Sequence, residues 1–381
     1  MRVSKETICE NRYSHKRLMT AELRGDSLNR TLFTVGPVEV RKEVLEAMTK
    51  PMMTHRGKDY EQLQANIVEK LHKTLDTDMN IMMSPSSASG LLEACVRCGV
   101  NSNMVGISNG SFGNRWQSIG KDNGKNVKKI NVEWGKAVRA EHVEGQIDDS
   151  IEAVTMIANE SSTGVLNPVK EVSDEIRNKQ DPLIFIDAVT AAYGSDMHLK
   201  ELDADAVVFG TQKALALPPG LAVICCSDRL LKRAESVPNR GYYFDLIQMK
   251  KMADKSFSLT TPPVSLLYGL DFQLDRILKE GVKNRYARHQ EMADTVHAWA
   301  EKRLGLFAEA EFRSKTISVI FKKNIEFSKL QSKLNERGFE ISSGYGDIKE
   351  TTFRIGHMGD LTVPEVKGLL KNIDEILGEL Q

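Results

Sequence analysis

The sequence predicts an α/β chain with two parts. The first is a large domain with a mostly parallel sheet flanked by helices; the second is a smaller α+β C-terminal domain. Three observations carry this. The chain has 381 residues, and single hydrophobic cores stop growing at roughly 250–300 residues. From about residue 80 to residue 226, short apolar runs alternate with helical stretches or turns, the pattern of parallel strands joined by crossover helices. After residue 260 the character changes to long, charge-rich helical stretches broken by few apolar runs.

The elements follow in order. Residues 1–30, MRVSKETICENRYSHKRLMTAELRGDSLNR, are polar and of mixed charge. They lack the apolar stretch of a secretory signal, and Glu6, Glu10, Glu22 and Asp26 are foreign to a transit peptide. They read as a polar N-terminal arm lying on a partner subunit. Residues 31–275 form the large domain. Its expected strands are MVGI (104–107), KKINV (128–132), VTMIA (154–158), LIFID (183–187), DAVVFG (205–210) and LAVICC (221–226). Ligands of such sheets bind in loops at the carboxyl ends of the strands. Residues 276–381 form the small domain, with a strand at TISVIF (316–321), a helix at FSKLQSKLNERG (327–338) and the segment TFRIGHMG (352–359). The chain closes on an amphipathic helix. Val366, Leu369, Leu370, Ile373, Ile376, Leu377 and Leu380 share one face, and Thr362 with Glu365 makes a capping box at its start.

Composition excludes several classes of partner. Hydrophobic residues are 41% and charged residues 27%, and Lys+Arg and Asp+Glu both number 52. That balance predicts no nucleic-acid partner and no membrane partner, and no apolar run is long enough to span a bilayer. The five cysteines are odd in number and include the adjacent pair Cys225 and Cys226. A disulfide framework is therefore not expected, and a reducing, cytoplasmic location is. Cys95 and Cys98 form a lone CxxC, read as small buried side chains rather than a metal site. Cys225 and Cys226 read as core.

One residue stands out. In GTQKALALPPGLAVICC (210–226) the single charge is Lys213, although lysine is among the least buried residue types. Asp187 ends the apolar run LIFID, where an unpartnered carboxylate is costly. Both would project from strand ends into one crevice; a plain salt bridge would satisfy them, and so would a ligand placed between them. In MMSPSSASGLLEACV (82–96) a turn of small residues precedes a helix. Ser87, Ala88 and Ser89 would sit at an anion-binding helix N-terminus, or simply cap a helix. One cofactor suits all three features, pyridoxal 5'-phosphate. Its phosphate suits the helix end, its aldehyde condenses with a lysine, and its ring nitrogen needs a carboxylate. Desolvation and nearby positive charge would depress the lysine pKa, so that the amine can attack.

From residue 31 onward the sequence resembles the class V aminotransferases, and most closely the alanine/serine–glyoxylate group. The resemblance rests on FTVGPVEV (33–40), THRG (54–57), NGSFGNRW (109–116), NESSTGVLNP (159–168), FIDAVTA (185–191), GTQKALALPPGLA (210–222), TTPPVSLLYGL (260–270) and FRIGHMG (353–359). It implies the fold type I architecture of pyridoxal-phosphate-dependent transferases. It also implies ping-pong transfer of an amino group from a small amino acid, alanine or serine, to a small 2-oxo acid, glyoxylate or pyruvate. Carried across, Lys213 matches the Schiff-base lysine and proton carrier, and Asp187 the partner of the ring nitrogen, with Val189 packed under the ring. Phe112 matches the aromatic on the ring's other face, and Ser161 the hydroxyl beside its phenolic oxygen. Gln212 matches a phosphate contact. Thr261 matches a phosphate contact supplied by the neighbouring subunit, which implies a homodimer with active sites at its interface. Arg354 matches the arginine that holds the substrate carboxylate, a task suited to its bidentate fork.

The sequence also departs from the family. Its phosphate turn reads Ser87-Ala88-Ser89 where Ser-Gly-Thr is usual, and Ala88 restricts a backbone that glycine frees. Where some relatives carry a phosphate-binding tyrosine, this chain has Phe257 and Ser258. His55 and Arg56 line the entrance or cap a helix; His357 lies near Arg354 in sequence and reads as a structural hydrogen-bonding residue at least as well as a functional one. Three rivals stand beside the main reading. A cysteine desulfurase or related lyase is disfavoured by Gln212 before the lysine and by the absence of cysteine between Cys226 and Gln381. A phosphoserine aminotransferase shares the Gln-Lys pair. A non-catalytic subunit is opposed by the presence of Lys213, Asp187 and Arg354.

Overall fold

The computed structural model describes residues 30–380; most of the expected N-terminal arm, Cys9 included, lies outside them. The strands in chain order are β1 (Thr31–Phe33), β2 (Asn80–Ser84), β3 (Asn103–Ser108), β4 (Asn126–Asn131), β5 (Ala153–Ile157), β6 (Asn159–Glu160), β7 (Val165–Leu166), β8 (Leu183–Asp187), β9 (Ala206–Gly210), β10 (Ala222–Cys226), β11 (Ile317–Phe321), β12 (Phe339–Ser343) and β13 (Thr352–Gly356). Seven of them form one sheet in the order β2-β10-β9-β8-β5-β3-β4. It is parallel except for β10, which runs antiparallel to both β2 and β9.

The apolar runs are continuous because both sheet faces are covered. Every residue of β5, β8, β9 and β10 is buried. Successive side chains go to opposite faces. Ile184, Ile186, Val207 and Phe209 join the core under the helices Lys58–Leu75 and Val264–Glu280. Leu183, Phe185, Ala206 and Val208 join the core under the helix Ala88–Gly99. Cys225 falls in the first core and Cys95, Cys98 and Cys226 in the second. Strand β2, a run with three consecutive Ile and Met residues, lay hidden in what reads as a turn region.

A second sheet has the order β1-β12-β13-β11. The helix Val282–Arg303 gives it Met292, Val296 and Ala300, and the helix Val363–Leu380 gives it Val366, Leu369, Leu370, Ile373 and Ile376. Two expectations need correction here. Residues 31–33 were assigned to the large domain, but β1 pairs in parallel with β12, and Phe33 packs in the second sheet's core. The expected division at 275/276 falls inside the continuous helix Val264–Glu280. The chain turns instead at Gly281, whose φ of +83° ends that helix and starts the next.

The last helix keeps its expected face only in part. Leu377 is half-buried, and Leu380 is exposed where the helix runs past the sheet. Its capping box forms. The Thr362 N–H donates to Glu365 Oε2 at 2.7 Å, and the Glu365 N–H donates to Thr362 Oγ1 at 3.5 Å. Arg41 then holds Glu365 bidentately at 2.9 Å per bond, tying this helix to the chain just before the helix Lys42–Ala47.

Candidate active site

The carboxyl ends of the parallel strands converge on a cavity of about 150 Å³. β8 ends in Asp187; β9 leads through Thr211 and Gln212 to Lys213; β3 leads to the helix Ser111–Asp122, which carries Phe112; and β2 leads to the helix Ala88–Gly99. Ser87, Ala88, Ser89, Phe112, Ser161, Asp187, Val189, Gln212 and Lys213 all line it. The sequence reading assigned no role to five other lining residues, Leu92, Arg115, Ile157, Asn159 and Thr190.

Asp187 is buried. Its Oδ1 accepts the Val189 N–H at 2.8 Å. Burial pushes its carboxyl up to about 6, with the nearby Glu160 adding to the rise and the Val189 N–H, Arg115 and Lys213 opposing it. Lys213 moves the other way. Burial draws its ammonium down to about 8, and the positive charge of Arg354 adds to the fall. A carboxyl and an amine shifted toward each other in one cleft are a mark of chemistry. Lys213 Nζ donates to the Val35 carbonyl. Its stem lies on Gly36, where an added Cβ would come within 2.7 Å of Nζ and where φ is +113°, so the VGP of FTVGPVEV has glycine for lack of room.

The helix end at Ser87 is open. Its side chain makes no capping bond, and the Gly90 N–H turns back to the Ser87 carbonyl at 3.0 Å, which leaves the Ala88 and Ser89 N–H groups for an anion. Asn159 adds a second open valence: its Nδ2 donates to Thr190 Oγ1 at 2.8 Å, while its buried Oδ1 has no partner among the described residues.

Glu160 sets the position of Phe112. Its buried carboxylate accepts the N–H groups of Phe112 at 3.0 Å and Gly113 at 2.9 Å, together with the Ser162 N–H at 2.9 Å and the Ser162 hydroxyl at 2.6 Å. A carboxylate there suits the positive end of the helix. Burial still pushes the Glu160 carboxyl upward, against all four donors. A carboxylate two residues past the apolar run VTMIA was the available signal for this residue.

Arg354, on β13, reaches the cavity's edge from the second sheet. Its Nε donates to the Ser343 carbonyl at 2.9 Å and its Nη1 to the Ser161 carbonyl at 3.2 Å. Burial lowers it to about 10, so it remains a cation at neutral pH. Its guanidinium lies 5.2 Å from the centroid of the Tyr345 ring, which stacks on Phe112 at 5.2 Å and 16°. Tyr345 was not foreseen; an aromatic inside the glycine-flanked loop SSGYGD was the only hint.

The other singled-out residues lie elsewhere. Thr261 is not part of this cavity's lining. His55 sits edge-on to Tyr60 at 6.5 Å, and exposed Arg56 reaches the Ser258 carbonyl at 3.4 Å. His357 is buried, bonded through Nε2 to the Ser318 hydroxyl at 2.9 Å, and burial lowers it to about 3. It is a neutral structural histidine.

The fold and this cavity define a class of enzyme, and the chain's relatives define it independently. The model of the family described as aminotransferase class-V matches residues 102–349. The chain belongs to that family. An uncharacterized aminotransferase of Methanocaldococcus jannaschii is 34% identical over 93% of this chain and 94% of its own length. A serine–glyoxylate aminotransferase of Methylorubrum extorquens is 29% identical, covering 89% of each. The solved structure of ureidoglycine–glyoxylate aminotransferase from Bacillus subtilis superposes with a TM-score of 0.85 at 25% identity, over 92% of this chain and 93% of that one. The protein is an aminotransferase with the α/β architecture of fold type I.

Proposed function

We propose that this chain is a pyridoxal-phosphate-dependent transaminase that moves an amino group from alanine or serine to glyoxylate or pyruvate. The observation that carries the reading is the facing of Lys213 and Asp187 across one cavity whose third wall is an uncapped helix end. The residues present fit the cofactor. The open N–H groups at Ser87–Ser89, with Gln212, suit a phosphate; Asp187 suits a ring nitrogen; Phe112 and Val189 offer two apolar walls; Ser161 and the unpartnered Asn159 Oδ1 supply polar contacts. When bound, the cofactor supplies a carbonyl that captures amines and a ring that takes up electron density.

The chain's own groups do the rest. Asp187 would hold a protonated ring nitrogen, whose charge would offset the burial that raises its pKa. Arg354 binds the substrate carboxylate, since a guanidinium at the edge of a partly dry cavity is a strong and oriented donor. Lys213, whose ammonium burial draws down to about 8, would hold the substrate's α-proton on Nζ once its amine is free. The apolar walls limit water at that step. Thr261 serves the second copy of a homodimer, which fits its lying outside the lining of its own cavity. The four buried free cysteines fit a reducing, cytoplasmic setting, and among the described residues no helix is long and apolar enough to cross a membrane.

The test is a transfer assay on a donor panel of alanine, serine, aspartate and phosphoserine, each with glyoxylate and with pyruvate. The expected result is the highest kcat/KM for alanine or serine. A preference for aspartate or phosphoserine, or release of ammonia without transfer, would overturn the substrate assignment.

A further inference from the structure

We propose that Arg115 is a phosphate-binding residue of the cofactor site, standing in for the aromatic hydroxyl contact that this chain lacks. The inference rests on the cofactor reading above.

The argument begins with charge. Among the described residues lining the cavity, the ionisable side chains are Asp187, Lys213 and Arg115. A phosphate monoester brings about 1.5–2 negative charges near neutral pH. A helix end offers only about half a positive charge. Lys213 is needed for chemistry and faces Asp187. Gln212, Ser87 and Ser89 are neutral. Arg115 is the remaining cation, and a charge-assisted, forked donor is the kind of group phosphate selects.

Geometry supports the assignment. Arg115 lies one turn beyond Phe112 on the helix Ser111–Asp122, so the two side chains share a face. Its Nη1 donates to Ser89 Oγ at 3.3 Å, and its guanidinium lies 4.7 Å from the Phe112 ring centroid. The side chain thus already reaches the turn expected to hold the phosphate and the ring expected to stack on the cofactor. Phe257 has no hydroxyl and Ser258 is not aromatic, so neither supplies the aromatic hydroxyl of some relatives. The residue as a whole is exposed, which places its charge at the mouth, where it also draws an anion inward.

The test compares two ligands that differ only in the phosphate. The full chain, stripped of cofactor, is titrated with pyridoxal phosphate and with pyridoxal. Binding is read from absorbance and from quenching of protein fluorescence, so that no turnover is needed. Wild type should prefer the phosphorylated ligand strongly. R115Q should weaken pyridoxal phosphate by about 10- to 100-fold, the usual scale for a lost charge-assisted contact, and leave pyridoxal within a few-fold. R115K should keep part of the preference, and it carries the test if R115Q does not fold. Equal losses for the two ligands, or no loss for either, would overturn the role of Arg115 while leaving the cofactor reading in place. Failure of wild type to bind pyridoxal phosphate at all would overturn that reading and this inference together.

Discussion

The floor and the side wall of the site use charge in opposite ways. The floor, Lys213 and Asp187, stands at the strand ends of the seven-stranded sheet, Asp187 buried and Lys213 half-buried. There desolvation works against both charges, drawing the lysine down to about 8 and the aspartate up to about 6. The side wall, Arg354 with Tyr345 and Phe112, comes largely from the four-stranded sheet. There burial lowers a guanidinium only to about 10, so it keeps its charge at neutral pH while it donates to two carbonyls and lies over an aromatic face. The difference teaches a division of labour. Burial makes the floor reactive at a cost in stability, while the wall holds a permanent charge ready for a substrate.

The largest effect that sharpens this contrast is on stability. Lys213 is depressed from 10.5 to about 8, so its charged form is penalised in the folded state. The penalty is full below about pH 8 and vanishes as pH rises toward the unfolded value. Lys213→Met should therefore stabilise the cofactor-free protein by up to about 3 kcal/mol near pH 7, with the gain shrinking between pH 8 and 10. Urea denaturation across that range measures it, and a variant less stable than wild type at pH 7 would break the contrast. Asp187 acts in its own window. Its folded pKa lies above its unfolded one, so the folded state binds the extra proton and stability falls as pH rises from about 4 to about 6. Asp187→Asn should flatten that slope.

Next comes the wall. Arg354→Leu should raise KM for the amino donor by roughly 10- to 100-fold, the scale of hydrogen bonds to a charged group, while leaving cofactor affinity within a few-fold. A fall in cofactor affinity as large as the rise in KM would show that floor and wall are not separable. Glu160→Gln should cost about 1–2 kcal/mol of stability in urea, because one carboxylate satisfies four donors and the amide presents only one acceptor oxygen. The smallest effect is at Tyr345. Tyr345→Ala removes a ring stacked on Phe112 and lying under Arg354, worth about 0.5–1.5 kcal/mol. Donor KM should rise a few-fold, and Tyr345→Phe should restore it.

The same contrast explains what the sequence could disclose. The floor was legible because its residues end apolar runs. A lone charge after LIFID or in GTQKALALPPGLA has no other reason to be there, and the sheet brings Asp187 and Lys213 together through neighbouring strands β8 and β9. The helix end at Ser87–Ser89 was legible from its small residues. Arg354 was legible only through its motif. The wall's partners were not. Tyr345 sits in an irregular loop with no periodicity to place it, and Arg115 reads as one more charge on an amphipathic helix. Asn159 and Glu160 lie within a quoted motif, but their roles depend on which donors fold back onto them. Strand β1 misled for a related reason: three residues carry too little pattern to say which sheet they join, and they pair with a strand some 300 residues away.

The most direct test of the central claim is the absorbance of wild type beside Lys213→Ala, each loaded with pyridoxal phosphate, as alanine or serine is added and then glyoxylate. The account predicts that the visible band of wild type falls with the right donor and returns with glyoxylate, and that Lys213→Ala turns over at least about 10³-fold more slowly. A Lys213→Ala protein that cycles at the wild-type rate, or a wild type whose band no amino acid moves, would contradict it.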